Sequence, residues 1–320
     1  MRILVTRGPV VESEHRVDAV VVGRDGTILA DGDPQRAVIP RSAIKFVQAV
    51  PLLRSGAADR FDVTEEEVVL ACSSHSGEPA HVAAVAAWLD RLGFGPADLA
   101  CGPDLPMSAA AAAELHRIGE GPAVLYNCCS GKHAGFLTVI RHLALDPAGY
   151  VEPEHPLQRL VTEAIEEFTG HRLADQTPGR DGCAIPTFAV PLVGLAGAMQ
   201  RLVDPVGLDP ATASAAARLV AAPQGRQFWI AGTGRHEVTL GDAIAEPLVV
   251  KTGAEGVFVA GLPDRGLGIA VKVADGATRA AEVAISAVLA RLGILDQGAV
   301  SRAVTNTSGD VVGRIEPAVA

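Results

Sequence analysis

The sequence predicts an α+β fold, with a mainly antiparallel sheet built from both chain ends around a helical middle region. Three observations carry that prediction. Residues 17–30 read as a β-hairpin turning at Asp25-Gly26, a pair that tolerates positive φ. Short apolar, β-rich runs recur late in the chain, near 236–240, 248–252, 256–260 and 267–274. Between these ends the apolar spacing is helical at about 108–117, 132–143, 156–168, 187–202 and 210–221. A doubly wound fold would instead alternate strands with helices.

The remaining elements follow in order. Pro40 stands where a chain enters a helix, and Ser42 to about Val50 has helical periodicity. Val68-Val69-Leu70-Ala71-Cys72 reads as a buried strand leading into the polar segment Ser73–Pro79, and a helix is expected from about Ala80 to Leu92. The apolar stretch from Pro186 to Met199 is interrupted by Pro191 and reads as a buried helix. A last helix is expected near 277–292. No linker, repeat or low-complexity tract divides the chain, so residues 1–320 read as a single domain.

Composition limits the function classes. With 48% hydrophobic and 20% charged residues the chain is globular and able to bury a sizeable core. A net charge of −10 argues against a nucleic-acid partner and leaves small anionic or zwitterionic ligands, held by local arginines. The N-terminus lacks a signal-peptide pattern, and no apolar run approaches the ~18 residues of a membrane span. Five cysteines follow no disulfide spacing. The expectation is a cytoplasmic protein with reduced thiols and no membrane partner.

Of 27 basic residues only four are lysines: Lys45, Lys132, Lys251 and Lys272. Arginine supplies fixed charge, whereas a lysine amine can lose its proton. Codon preference accounts for an arginine excess but does not choose which lysines remain. Ser42 and Lys45 lie three apart on a predicted helix and share a face, the spacing of a serine activated by a neutral amine. Lys251-Thr252-Gly253 closes an apolar strand, and a Ser-x-x-Lys helix followed by a Lys-Thr-Gly strand surrounds one active site in serine β-lactamases and penicillin-binding proteins. Ser73, Ser74 and Ser76 offer further hydroxyls, although Ser-His-Ser-Gly is also natural loop chemistry. Cys129 and Cys183 are two thiols from separate segments that can hold zinc, with His133 or the Lys132 amine as a third ligand, or can be inert buried thiols. Three apparent motifs fail their spacing rules: Ser130–His133 as a P-loop, Gly232-Thr233-Gly234 as a dinucleotide loop, and His236-Glu237 as a zinc-protease helix.

Together these segments resemble the rhizobial-type (asparaginase II, class 3) L-asparaginases, whose fold is similar to serine β-lactamases and glutaminases. The matching stretches are Glu12–Arg16, Arg41–Lys45, Cys72–Glu78, Asn127–His133, His155-Pro156, Asp181–Cys183, Gly232–Arg235, Lys251–Ala254 and Gly268–Lys272. The resemblance implies two serine–lysine pairs, Ser42 with Lys45 and Ser74 with Lys251. It also implies zinc held by Cys129, Lys132 and Cys183 beside Asp181, with the ion orienting substrate more than generating hydroxide. The implied reaction is hydrolysis of L-asparagine to L-aspartate and ammonia through an acyl-enzyme. Ser42 would attack, Lys45 would take its proton, and Ser74, tuned by Lys251, would relay a proton to ammonia. Arg41 and Arg235 are expected at the substrate carboxylate and Asp181 at its ammonium, with His133 also in the substrate site. A homodimer is the expected assembly. The alternatives are a glutaminase or β-lactam-type serine hydrolase, a zinc-water amidohydrolase, and an amino-acid-binding protein without turnover. Sequence leaves open Ser73 against Ser74 and Cys128 against Cys129, and assigns Lys272 no role.

Overall fold

The computed structural model describes residues 1–318, which divide into two compact units, each assembled from separate stretches of chain. In chain order the strands are β1 (Arg2–Arg7), β2 (Val10–Gly23), β3 (Gly26–Asp31), β4 (Ala37–Val38), β5 (Gly179–Arg180), β6 (Pro186–Thr187), β7 (Val190–Pro191), β8 (Val249–Gly253), β9 (Val257–Leu262), β10 (Leu267–Val273), β11 (Arg302–Thr305) and β12 (Val311–Pro317).

The first unit comprises Met1–Ala43, Ala189–Asp204 and the C-terminal stretch from Asp242. Its antiparallel sheet runs β11-β12-β1-β2-β10-β9-β8, with β3 paired to the far half of β2. Both chain ends meet there, since Ile3 pairs with Pro317 and Val5 with Ile315. Strands β8 and β9 are buried along their whole length, as sheet strands covered on both faces are. The helices Leu192–Val203 and Thr278–Arg291 pack on this sheet. A Cβ on Gly268 would stand 2.0 Å from the Ala196 carbonyl oxygen, so only glycine admits helix and strand at that distance.

The second unit, Ile44–Phe188 and Pro205–Gly241, is mostly helical. Its centre is the contact of helix Glu65–Cys72 with helix Ser130–His142. They meet at Gly131, where a Cβ would lie 2.5 Å from the Leu70 carbonyl oxygen. Among the described residues no helix is long and apolar enough to cross a membrane.

The mixed class of antiparallel sheet and helical middle is as expected, with local corrections. Val68–Cys72 is not a strand but the end of helix Glu65–Cys72. Thr64 caps that helix: its Oγ accepts from Glu67 N–H at 3.3 Å, and Glu67 accepts from Thr64 N–H at 3.0 Å. Every residue from Val68 to Cys72 is buried, which erased the helical periodicity. Residues 236–240 are likewise helical, His236–Ala243, with Thr239 N–H bonded to Arg235 O; their alternation of polar and apolar residues imitated a strand. The helix expected at 187–202 begins at Leu192, because the residues up to Pro191 are drawn into the short pairs β5–β6 and β4–β7. The 17–30 hairpin is present, but Gly23 pairs with Gly26 and the turn sits one residue earlier, at Arg24-Asp25.

Candidate active site

Pro40 leads into a 3-10 turn, Arg41–Ile44, that runs directly into helix Lys45–Gln48. Ala43 N–H bonds to Pro40 O at 3.1 Å. Arg41 adopts φ 51°, a left-handed backbone that is costly for a bulky side chain and is concentrated at functional sites. Ser42 is half-buried in this turn. Within the first unit the Lys-Thr-Gly strand end abuts it: a Cβ on Gly253 would lie 2.6 Å from Pro40 O and 3.2 Å from the Ala43 Cβ. Lys251, fully buried in β8, donates from Nζ to Thr252 O at 2.8 Å.

In the second unit Lys45 is 1% exposed and makes three contacts through Nζ. It donates to Ser73 O at 2.5 Å, to Ser74 Oγ at 2.9 Å and to Cys129 Sγ at 3.2 Å. Three acceptors match the three protons of an ammonium. The resemblance pairs Lys45 with Ser42; the hydrogen bond in the structure runs to Ser74. The adjacent serines are also distinguished. Ser73 Oγ donates back to Leu70 O at 2.8 Å, finishing its helix, while Ser74 Oγ meets the lysine.

The segment carrying Ser74 is pinned on both sides. Ser74 N–H bonds to Ile230 O at 3.0 Å and Ser76 Oγ to Ala231 O at 2.7 Å. Glu78 accepts from Thr233 N–H at 2.7 Å and from Thr233 Oγ1 at 2.8 Å. These ties hold the Gly232–Arg235 turn beside the serine loop. Arg235 lies there with Nη2 3.9 Å from the buried Glu237 and Nη1 3.9 Å from Met107 Sδ. His75, next to Ser74, is pushed down to about 3 by burial, then by His81 and Lys45, so it is neutral at ordinary pH.

Cys129 precedes helix Ser130–His142, whose first turn carries Lys132 and His133. Lys132 Nζ donates to Cys183 Sγ at 2.8 Å. Hydrogen bonds from Cys128 and Cys183, reinforced by Lys45 and Lys132 against the effect of burial, hold the Cys129 thiol well below its ordinary value. The bond to Cys129 and burial raise Cys183. Burial opposes the Lys132 charge, but Cys183 and Cys129 outweigh it and its pKa is raised. Cys128 is half-buried, its sulfur 3.9 Å from that of Cys129. His133 is fully buried and its Nδ1 meets Tyr150 Oη at 2.6 Å; among the described residues Nε2 has no hydrogen-bond partner. Asp181 is half-buried in the loop before Cys183 and accepts from Gly182 N–H at 2.7 Å.

Among the described residues no group of three or more His, Cys, Asp or Glu is placed to hold a metal ion. The set Cys129, Cys183 and Lys132 still fits zinc by donor chemistry: two thiols and one amine, leaving one position open. The ion would have to displace the protons on the amine and on Cys183, so binding would release protons. Lys272, the remaining lysine, is half-buried and donates to Glu255 O. Three side chains passed over by spacing arguments belong to this region: His75, Glu78 and Tyr150. The signal for the first two lay in Ser73–Glu78, which reads as ordinary turn chemistry when taken alone; Tyr150 lies outside every motif.

The sequence model described as L-asparaginase II matches residues 3–317. No curated protein matches the chain. Among solved structures, the chain is similar to a putative β-lactamase from Bacteroides dorei DSM 17855, at 12% identity over 80% of this chain and 84% of that one, with a TM-score of 0.44. A β-lactamase from Mycobacterium bovis matches at 18% identity over 87% and 95%, TM-score 0.42. The octameric penicillin-binding protein homologue from Pyrococcus abyssi matches at 11% identity over 86% and 73%, TM-score 0.43.

Proposed function

Because the chain belongs to the L-asparaginase II family, we propose that it hydrolyses the side-chain amide of L-asparagine to L-aspartate and ammonia through a serine acyl-enzyme. The observation that carries this reading is the buried hydrogen bond of Lys45 Nζ to Ser74 Oγ at 2.9 Å, three residues along the chain from Ser42 in its strained turn. Ser42 is the nucleophile and attacks the amide carbon. Lys45, once neutral, takes the Ser42 proton. The bond to Ser74 then provides the route by which that proton reaches the leaving ammonia. Water hydrolyses the resulting ester. Lys251, in the strand whose Gly253 end lies against the Ser42 turn, is assigned to the oxyanion side of the site. Arg41 and Arg235 take the substrate carboxylate, Asp181 its ammonium, and the free Nε2 of His133 a polar atom of the substrate. Cys129, Lys132 and Cys183 would hold the zinc ion, which supplies a Lewis-acidic point that orients substrate.

The Lys45 bond also favours a second reading, in which Ser74 is itself acylated. Ammonia release from L-asparagine and L-glutamine, followed by acid quenching and peptide mapping of the aspartyl adduct, separates the two. The adduct is expected on Ser42, with Lys45→Arg losing turnover because arginine keeps the charge but does not give up its proton. An adduct on Ser74 selects the second reading, and no ammonia release from the wild type rejects both. Zinc is checked by elemental analysis: about one ion per chain in the wild type, and little in Cys183→Ser or Lys132→Arg.

A further inference from the structure

Ser74 and Cys129 reach Lys45 from two different segments, the loop after helix Glu65–Cys72 and the turn before helix Ser130–His142. The next residue of each segment, His75 and Ser130, is 0% exposed, and the two are bonded to each other, His75 Nε2 to Ser130 Oγ at 2.8 Å. The surrounding bonds fix the direction of this contact. Gly77 N–H donates to His75 Nδ1 at 3.2 Å, so Nδ1 presents its lone pair and the proton resides on Nε2. Ser130 Oγ accepts that proton and gives its own to Leu125 O at 3.1 Å. The ring cannot turn away, because it stacks on His81 at 5.2 Å and 18°, which stacks in turn on Phe228 at 4.4 Å and 14°.

We infer that His75 is a positioning residue: its bond to Ser130 fixes the spacing of Ser74 Oγ and Cys129 Sγ so that one lysine amine touches both. A histidine suits this place because a neutral imidazole accepts at one nitrogen and donates at the other, along a line too long for asparagine. The catalytic half of this inference rests on the serine–lysine reading above. The geometric half does not.

The test compares His75→Asn, His75→Gln and Ser130→Ala with the wild type, each checked for folding by its thermal midpoint. Asparagine keeps the acceptor for Gly77 N–H but cannot reach Ser130. Glutamine restores a donor near the Nε2 position. His75→Asn and Ser130→Ala are expected to lower kcat for L-asparagine by about 10–100-fold, the range for a misplacement near 1 Å, with KM little changed. His75→Gln should recover most of the loss. Iodoacetamide labelling, read peptide by peptide, supplies a measure independent of turnover: Cys129 should react faster in His75→Asn while Cys72 and Cys101 keep their wild-type rates. Equal acceleration at all three thiols means general loosening and overturns the inference. So does a wild-type kcat in both His75→Asn and Ser130→Ala. If the wild type itself releases no ammonia, the proposed function fails, and selective Cys129 labelling still decides the positioning role.

Discussion

Ser73 and Ser74 are neighbours of identical chemistry, yet their hydroxyls have different partners. The first is bonded to a helix carbonyl and the second to a buried amine. Ser73→Ala should therefore remove one ordinary hydrogen bond, about 1 kcal/mol of stability, and leave turnover within a few-fold. Ser74→Ala removes one of the three acceptors of the buried Lys45 amine, so it should cost about 1–3 kcal/mol of stability and lower kcat by roughly 10²–10⁴, the range of a lost proton-transfer group. Equal kinetic effects of the two substitutions would contradict the relay. This distinction was not legible in the sequence, because it depends on where a helix stops: Ser73 is the cap of Glu65–Cys72, and its side chain turns back to Leu70. The lysines were more legible. Scarcity marked them out, and Lys45, Lys132 and Lys251 are each 0–1% exposed. A buried lysine needs specific partners, so the placement of rare lysines carried information that the 23 arginines did not.

Among the elements, helix Glu65–Cys72 shows why a strand reading fails for a fully buried run. Its apolar residues have no polar face to mark a period, but its start was written plainly as Thr64-Glu65-Glu66-Glu67, a capping box. Thr64→Ala should cost about 1 kcal/mol, seen as a lower urea midpoint with an unchanged slope. Since this helix ends at Ser73 and leads into the Ser74 loop, a change in slope would mean that the cap also governs the order of that loop. The opposite error occurred at His236–Ala243, where polar and apolar residues alternate over the four positions Glu237 to Leu240 and the backbone nevertheless closes helical bonds to Arg235. Elements with a half-exposed face were placed well: Pro156–Thr169 and Pro210–Ala221 start and stop within a residue of expectation. Each has a proline at its first turn and one side that stays exposed.

For the molecule as a whole, the chain termini illustrate the limit of local reading. β1 and β12 were not assigned individually, yet they pair with each other across almost the full length of the sequence. Periodicity reports which face of a segment is buried, not which segment buries it. The sequence by itself determined the α+β class, the β2–β3 hairpin, the helical middle and the family, since these depend on local pattern and on motifs in fixed order. The sequence also set Lys45 three residues from Ser42 and Lys132 three from Cys129. Tertiary structure alone decided that Lys45 bonds to Ser74, that Cys129 meets the same amine, and that His75 joins Ser130. Those contacts join residues 29, 84 and 55 positions apart. They exist because packed helices meet at Gly131, where the absence of a single Cβ lets two segments approach closely enough to share a lysine.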